Sequence, residues 1–334
     1  MKHFPPSFFL FICFASFVWG ASAQPARRAY RGIIVADTGS VVRAMEPYGG
    51  SSEGCANYAQ VVNLYKVEFP FARVYCMVIP TAVAFYCPDT ARAWTDDEKA
   101  AIQHIHSQLL PGVKPINLIP VLEAHVDEPI YARTDHHWMP LGAYYAAQEL
   151  ARVARLPFAD LSQYDRHVIH GFVGTMHRFS RDRSVKEAPE DFVYYVPRDV
   201  SYEATAVVYT LSKNRQYVVG QSEPKAVDFF RDYPDGSAAA YCTFMGGDTN
   251  TTSVTTSTKN GRRLMILKDS YGNALPGYLF ESFEEIHVVD CRYFKQNMRE
   301  FVSEHGITDI LFANNLIHAS SPKTSQSYEH YLAQ

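Results

Sequence analysis

Two short stretches carry residues that could do chemistry together. In Lys268-Asp269-Ser270-Tyr271-Gly272-Asn273 a serine follows the apolar run at 264–267. The pattern predicts a short strand that stops at the serine and a turn at Gly272. A helix is then expected over 274–283, with Leu275, Leu279 and Phe283 at helical spacing. A strand end would hold such a serine rigidly. A helix start offers free N–H groups and a partial positive charge to a developing oxyanion. The corner is not G-x-S-x-G, and Asp-Ser-x-Gly is also ordinary turn chemistry, so it needs a base before it means more.

Asp135-His136-His137-Trp138 is the stretch that could supply one. An aspartate two residues before a histidine can accept from the ring Nδ1–H and leave Nε2 to take a serine proton. Two other readings fit the same residues. They could cap the helix that Pro140 opens, or Asp135, His136 and His137 could bind a metal. Adjacent ligands rarely converge on one ion, and no Cys or His cluster accompanies them, so neither a metal nor a cofactor is expected. Asp37-Thr38-Gly39-Ser40 matches the aspartic-protease signature. Such sites need two carboxylates, and the chain has no second Asp-Thr-Gly or Asp-Ser-Gly, so these residues read as a hairpin turn.

The elements that must position these groups alternate along the chain. A strand–turn–strand unit is expected over 31–45, a helix over 56–67 and a strand over 71–79. Thr95-Asp96-Asp97-Glu98 looks like a capping-box start for a helix to about residue 110, with His104 and His106 on its surface. A strand is expected over 115–121 and a helix over 141–154. From 165 to 260 helical periodicity is scarce. Short Tyr/Val/Phe runs suggest a β-rich insertion that could form a lid or a substrate-binding wall, with a polar, Thr-rich loop over 246–260. The chain closes with strands over 285–290 and 309–313 around a helix over 295–306 that stops at Gly306. That rhythm argues for an α/β fold, a mostly parallel sheet with helices on both faces. Functional groups then gather at the C-terminal strand ends, where Ser270, Arg292, Asn314 and Asn315 fall.

Composition narrows the class. The 334 residues are 47% hydrophobic and 20% charged with net charge −4, which gives no hint of a nucleic-acid partner. Residues 1–23 read as an export leader: a basic start, an apolar core over 8–19 and Ala21-Ser22-Ala23 as the cleavage signal before Gln24. The mature chain, 24–334, is then expected in the periplasm, cell envelope or outside the cell. Cys13 leaves with the leader. Of the rest, Cys76 and Cys291 read as buried small hydrophobes, and one disulfide among Cys55, Cys76 and Cys87 is conceivable. The 22 tyrosines could line a carbohydrate surface.

Arg133-Thr134-Asp135-His136-His137-Trp138, the helix containing Gly142-Ala143-Tyr144-Tyr145-Ala146, and the late Lys268-Asp269-Ser270-Tyr271-Gly272-Asn273 together resemble the DHHW family. That family sits with the SGNH/GDSL hydrolases and is similar to the alginate O-acetyltransferase group, with its Asp-x-His-Trp motif before a Gly-Asp-Ser motif. The resemblance implies an SGNH-like three-layer α/β/α sandwich. It also implies a Ser270–His137–Asp135 triad acting on O-acyl groups, chiefly acetyl esters of a cell-surface polysaccharide or a small ester. Partner proteins of envelope acetylation would fit the same reading. Ser270 N–H would form part of the oxyanion hole, with Asn273, Asn314 or Asn315 as further donors. Arg292 would bind a substrate anion or a neighbouring carboxylate, and Tyr271 would line the pocket. Lys268 stands where the family has glycine. The alternative is an inactive glycan-binding or envelope-assembly protein on the same scaffold.

Overall fold

The computed structural model describes Met1 and residues 26–214 and 217–334. The remainder of the expected leader, with Cys13, lies outside the described residues. β1 (Ala26–Arg28), β2 (Ile34–Asp37) and β3 (Val42–Met45) form a small antiparallel sheet. Between β2 and β3, Gly39 takes φ +81° and its N–H donates to Asp37 Oδ1 at 2.9 Å. The acid motif is thus the turn of a hairpin, closed by its own aspartate.

The main sheet has nine strands. Its parallel half uses β4 (Arg73–Ile79) and β5 (Val113–Pro115) together with three strands from the end of the chain. β6 (Tyr164–Phe172) and β7 (Glu190–Pro197) pair only with each other. β8 (Tyr202–Leu211), β9 (Val218–Gln221), β10 (Lys225–Ala226) and β11 (Asn250–Thr256) add an antiparallel flank. β12 (Arg263–Lys268), β13 (Glu285–Asp290) and β14 (Asp309–Asn315) complete the order β10-β8-β11-β13-β12-β14-β4-β5, with β9 on β8. β12 pairs in parallel with both β13 and β14. The chain therefore leaves β12 to one side and returns over it to the other, which opens a crevice beyond the strand ends.

Leu264, Met265, Ile266 and Leu267 are all buried although successive side chains point to opposite faces. A strand like this has cover on both sides, as in a parallel sheet between helices. Each such side chain contributes about 1.5–3 kcal/mol by leaving water. The helix Ser52–Glu68 packs against Glu98–Ser107 and Pro322–Ala333, and Pro140–Ala154 packs against Leu118–Glu123 and the turn Pro276–Leu279.

Several local expectations change. No helix runs over 274–283. Two 3-10 turns, Ser270–Ala274 and Pro276–Leu279, replace it, because Pro276 and Gly277 interrupt the pattern. Residues 115–121 are not a strand: β5 ends at Pro115 and Asn117 caps the helix Leu118–Glu123 by accepting from Ile119 N–H. The closing helix is shorter than expected, Met298–Glu304, because Asn297 caps it. The middle of the Thr-rich loop is instead β11, whose β-branched residues suit a strand between β8 and β13. His106 turns partly inward, and burial pushes its imidazole down to about 4. Cys55, Cys76, Cys87, Cys242 and Cys291 are all free thiols, so none of the conceivable disulfides forms. Many tyrosines serve the core: the hydroxyls of Tyr58 and Tyr328 both donate to Asn314 Oδ1 at 2.8 Å.

Candidate active site

Ser270 lies two residues past the end of β12, as the first residue of a 3-10 turn, where its N–H has no acceptor within the turn. The turn is fixed by Asp269. This fully buried carboxylate accepts from Tyr271 N–H (2.9 Å), Asn315 N–H (2.8 Å), Asn315 Nδ2 (3.3 Å) and Asn314 Nδ2 (3.4 Å). Asn315 Oδ1 also caps the next short helix by accepting from His318 N–H at 3.0 Å. The amides of Asn314 and Asn315 are thus committed to holding the serine turn. Gly272 earns its place by close approach: a Cβ there would lie 2.5 Å from Lys268 Cβ.

His137 comes from a loop that closes on itself. Tyr131 and Trp138 form an antiparallel bridge, and Ala132 N–H donates to the His137 carbonyl at 3.3 Å. Trp138 is buried with its Nε1–H on the Tyr271 carbonyl at 2.9 Å, which ties this loop to the serine turn. The Tyr271 hydroxyl donates back to the His136 carbonyl. Tyr271 is itself buried, so it joins the two loops from inside.

These constraints bring the three expected residues into line. His137 Nε2 is 2.8 Å from Ser270 Oγ, and His137 Nδ1 is 2.6 Å from Asp135 Oδ1. Asp135 is 4% exposed, His137 8% and Ser270 9%, so the whole line is shielded. Burial alone would raise the Asp135 pKa. The charge and hydrogen bond of His137, then His136 and the Thr175 N–H, more than reverse that and hold it far below the carboxylate range. An ionised Asp135 only accepts, so His137 carries its proton on Nδ1 and Nε2 accepts from the serine hydroxyl.

The 165–260 stretch contributes four further residues to the site. Thr175 donates to Asp135 through its N–H and its hydroxyl. Tyr241 lies flat against the His137 ring, 3.8 Å between centroids and 5° between planes, and its hydroxyl donates to the Tyr271 carbonyl at 2.9 Å. Asp248 accepts from Asn273 Nδ2 at 2.7 Å and from Arg292 Nη2 at 3.0 Å. Glu190, at the start of β7, accepts from Arg133 N–H, Thr134 N–H and the Thr134 hydroxyl at 2.7–2.8 Å, which pins the approach to Asp135. No motif marks Thr175, Glu190, Tyr241 or Asp248, and sequence reasoning missed them.

Behind the serine turn lies a balanced set of four charges. Lys268, opposite Asp290 in the β12–β13 register, donates to Asp290 Oδ2 at 2.8 Å and lies 3.8 Å from Asp248. Arg292 grips Asp290 through Nε and Nη2 at 2.8 and 2.7 Å. Burial would raise the Asp290 and Asp248 carboxyls, but Lys268 and Arg292 hold both well down. The lysine that departs from the family glycine is therefore a paired buried cation. Arg292 thus has its guanidinium on two neighbouring carboxylates, Asp290 and Asp248.

Asp135, His136 and His137 also offer metal-ligand atoms within 4.8 Å of one another. Most of these atoms are already engaged: His137 by Asp135 and Ser270, and His136 Nδ1 by Thr175 Oγ1 at 2.7 Å. The geometry favours a hydrogen-bonded line over an ion.

The DHHW protein family matches residues 39–289, a stretch that contains both motifs. This chain belongs to the DHHW family. A DHHW family protein from Eubacterium siraeum is 36% identical over 91% of this chain and 98% of its own, with a TM-score of 0.80. Bacillus cereus PatB1 shares the fold at 16% identity, covering 87% of this chain and 99% of its own, with a TM-score of 0.65. A second PatB1 structure, which carries a sulfonyl adduct, matches at 14% identity over 87% of this chain and 97% of its own, with a TM-score of 0.64. No curated protein matches the chain by sequence. In this DHHW chain no helix among the described residues is long and apolar enough to cross a membrane.

Proposed function

We propose that this DHHW protein is an exported serine-dependent O-acyl enzyme, an esterase or acetyltransferase acting on a cell-surface polysaccharide. The observation that carries the reading is the Ser270–His137–Asp135 line, at 2.8 and 2.6 Å. Ser270 Oγ attacks the acyl carbon as His137 Nε2 takes its proton. Asp135 holds the ring and balances the imidazolium charge. His137 then returns the proton to the leaving oxygen, and Ser270 carries the acyl group. Water or a sugar hydroxyl resolves that acyl-enzyme with His137 again as base, giving hydrolysis or transfer. The Ser270 N–H, which has no acceptor within its own turn, is the main-chain donor at hand for the developing oxyanion, whereas Asn273 Nδ2 is already taken by Asp248 at 2.7 Å. The leader-like residues 1–23 support export, and the polysaccharide substrate rests on the resemblance to the alginate O-acetyltransferase group.

The test is p-nitrophenyl acetate turnover by the chain from Gln24 onward, beside Ser270→Ala and His137→Ala. Each variant is expected to lose about 10³–10⁶-fold in turnover while melting normally. Equal rates for all three folded proteins would reject serine catalysis. Adding a glycan acceptor separates transfer from hydrolysis.

A further inference from the structure

The hydrogen-bonded line does not end at Asp135. Oδ1 of Asp135 accepts from His137 Nδ1 and from His137 N–H, at 2.6 and 3.1 Å. Oδ2 accepts from Thr175 N–H and Thr175 Oγ1, at 2.7 and 2.9 Å. The same Thr175 oxygen lies 2.7 Å from His136 Nδ1. A hydroxyl has one proton to give, and a carboxylate that already accepts on both oxygens has none. The Thr175 proton therefore goes to Asp135, and Thr175 Oγ1 must accept from His136 Nδ1–H. This makes His136 the neutral Nδ1–H tautomer, with Nε2 bare.

The neighbourhood agrees with a neutral His136. Its ring centroid lies 3.8 Å from that of His137, and burial pushes its imidazole down to about 3. Thr175 itself is zipped to the Asp135 loop on both sides. Gly174 N–H donates to Thr134 Oγ1 at 3.2 Å, and Met176 N–H donates to the Thr134 carbonyl at 2.9 Å. A Cβ on Gly174 would fall 2.3 Å from Asp135 Oδ2, so the approach is as close as a glycine allows.

We propose that Thr175 is a positioning residue for the triad: its hydroxyl holds Asp135 in the rotamer that faces His137 and, through the same oxygen, sets the tautomer of His136. The proposal rests on the triad reading above, and it gives the 165–260 stretch a direct part in the site. Thr175 touches no reacting atom. It acts through Asp135, and what it supplies is orientation of a carboxylate whose other oxygen orients the base.

The experiment compares the chain from Gln24 onward with Thr175→Val, which keeps the shape and the N–H but removes the hydroxyl, and Thr175→Ser, which restores it. Phenylmethanesulfonyl fluoride is the probe, with sulfonylation of Ser270 followed by intact mass against time. The low-field proton resonance of His137 Nδ1–H is read in parallel. Thr175→Val is expected to slow labelling about 10–100-fold and Thr175→Ser less than about 3-fold, as for loss and rescue of one hydrogen bond to a charged group. The low-field proton should shift or broaden in Thr175→Val and stay in place in Thr175→Ser. A Thr175→Val protein that labels at the wild-type rate with an unmoved proton would overturn the proposal. So would a Thr175→Ser protein as slow as the valine variant. If Thr175→Val does not melt cooperatively, Thr175→Ala takes its place. Failure of the wild-type chain to label at all would count against serine catalysis. In that case the proton resonance still decides whether Thr175 orders the Asp135–His137 pair.

Discussion

Ser270 and His137 meet at 2.8 Å, yet the two sides of that contact are built differently. On the serine side, strand ends do the holding. Asp269 follows β12 directly and is gripped by the last two residues of β14, while Lys268 pairs with Asp290, its register neighbour on β13. On the histidine side, loops do the holding. Asp135 is fixed by Thr175, its approach by Glu190, and the His137 ring by Tyr241, all from 165–260. A nucleophile at the end of an interior strand inherits the rigidity of the sheet. A base on a loop needs its own supports, and here they come from far along the chain.

If this contrast is right, breaking each side should give a different signature. The largest effect is expected from Asp269→Ala. It leaves the Asn315 and Tyr271 N–H groups and two carboxamides without their buried acceptor, and should cost about 3–5 kcal/mol in denaturant or thermal melting. A loss under 1 kcal/mol would mean that the serine turn is held by something else.

Next comes a pH effect at the end of β4. Glu98 is 2% exposed and accepts from Thr81 N–H and the Thr81 hydroxyl, both at 2.7 Å. Burial is the main influence on it, and despite the two bonds its carboxyl is pushed up from 4.5 to about 7. The folded state therefore keeps this proton to higher pH than the unfolded chain. The stabilisation is complete below about pH 4.5 and is lost as pH rises through 7, by about 3 kcal/mol at roughly 1.4 kcal/mol per unit. Melting from pH 4.5 to 8 should show that decline in wild type and a flatter curve in Glu98→Gln. Parallel curves for the two proteins would exclude Glu98 as its source.

The smallest stability effect belongs to the loop side. Gly174→Ala pushes a methyl into Asp135, and should cost about 1–3 kcal/mol while slowing ester turnover roughly tenfold. Unchanged turnover in that variant would show that the Asp135 loop yields without disturbing the base. The expected pattern is thus stability lost first on the strand side and activity lost first on the loop side.

The same contrast explains what could be read from the sequence. The apolar run into Ser270, the strands at 285–290 and 309–313 and the asparagines at the end were legible, because a buried parallel strand announces itself by continuous apolar residues. The Asp135–His137 spacing was legible because two residues on one loop can meet without help. The supports of the base were not. Thr175, Glu190 and Tyr241 are ordinary residues whose role depends on β6, β7 and the turns near them folding back on the Asp135 loop. The Thr-rich stretch over 246–260 looked like a loop because its hydroxyls are polar, yet a strand between two partners uses their β-branched shape. The helix expected after Ser270 failed for the opposite reason: apolar spacing fitted, but Pro276 and Gly277 did not.

The most direct test of serine catalysis is to trap the acyl-enzyme. The chain from Gln24 onward, mixed with p-nitrophenyl acetate and quenched in acid within milliseconds to seconds, would be digested and searched for the mass of one acetyl group. Attack by Ser270 with His137 as base predicts that the acetyl sits on the peptide containing Ser270 and is missing in the folded His137→Ala protein. Acetyl on another residue, or the same yield on Ser270 without His137, would contradict it.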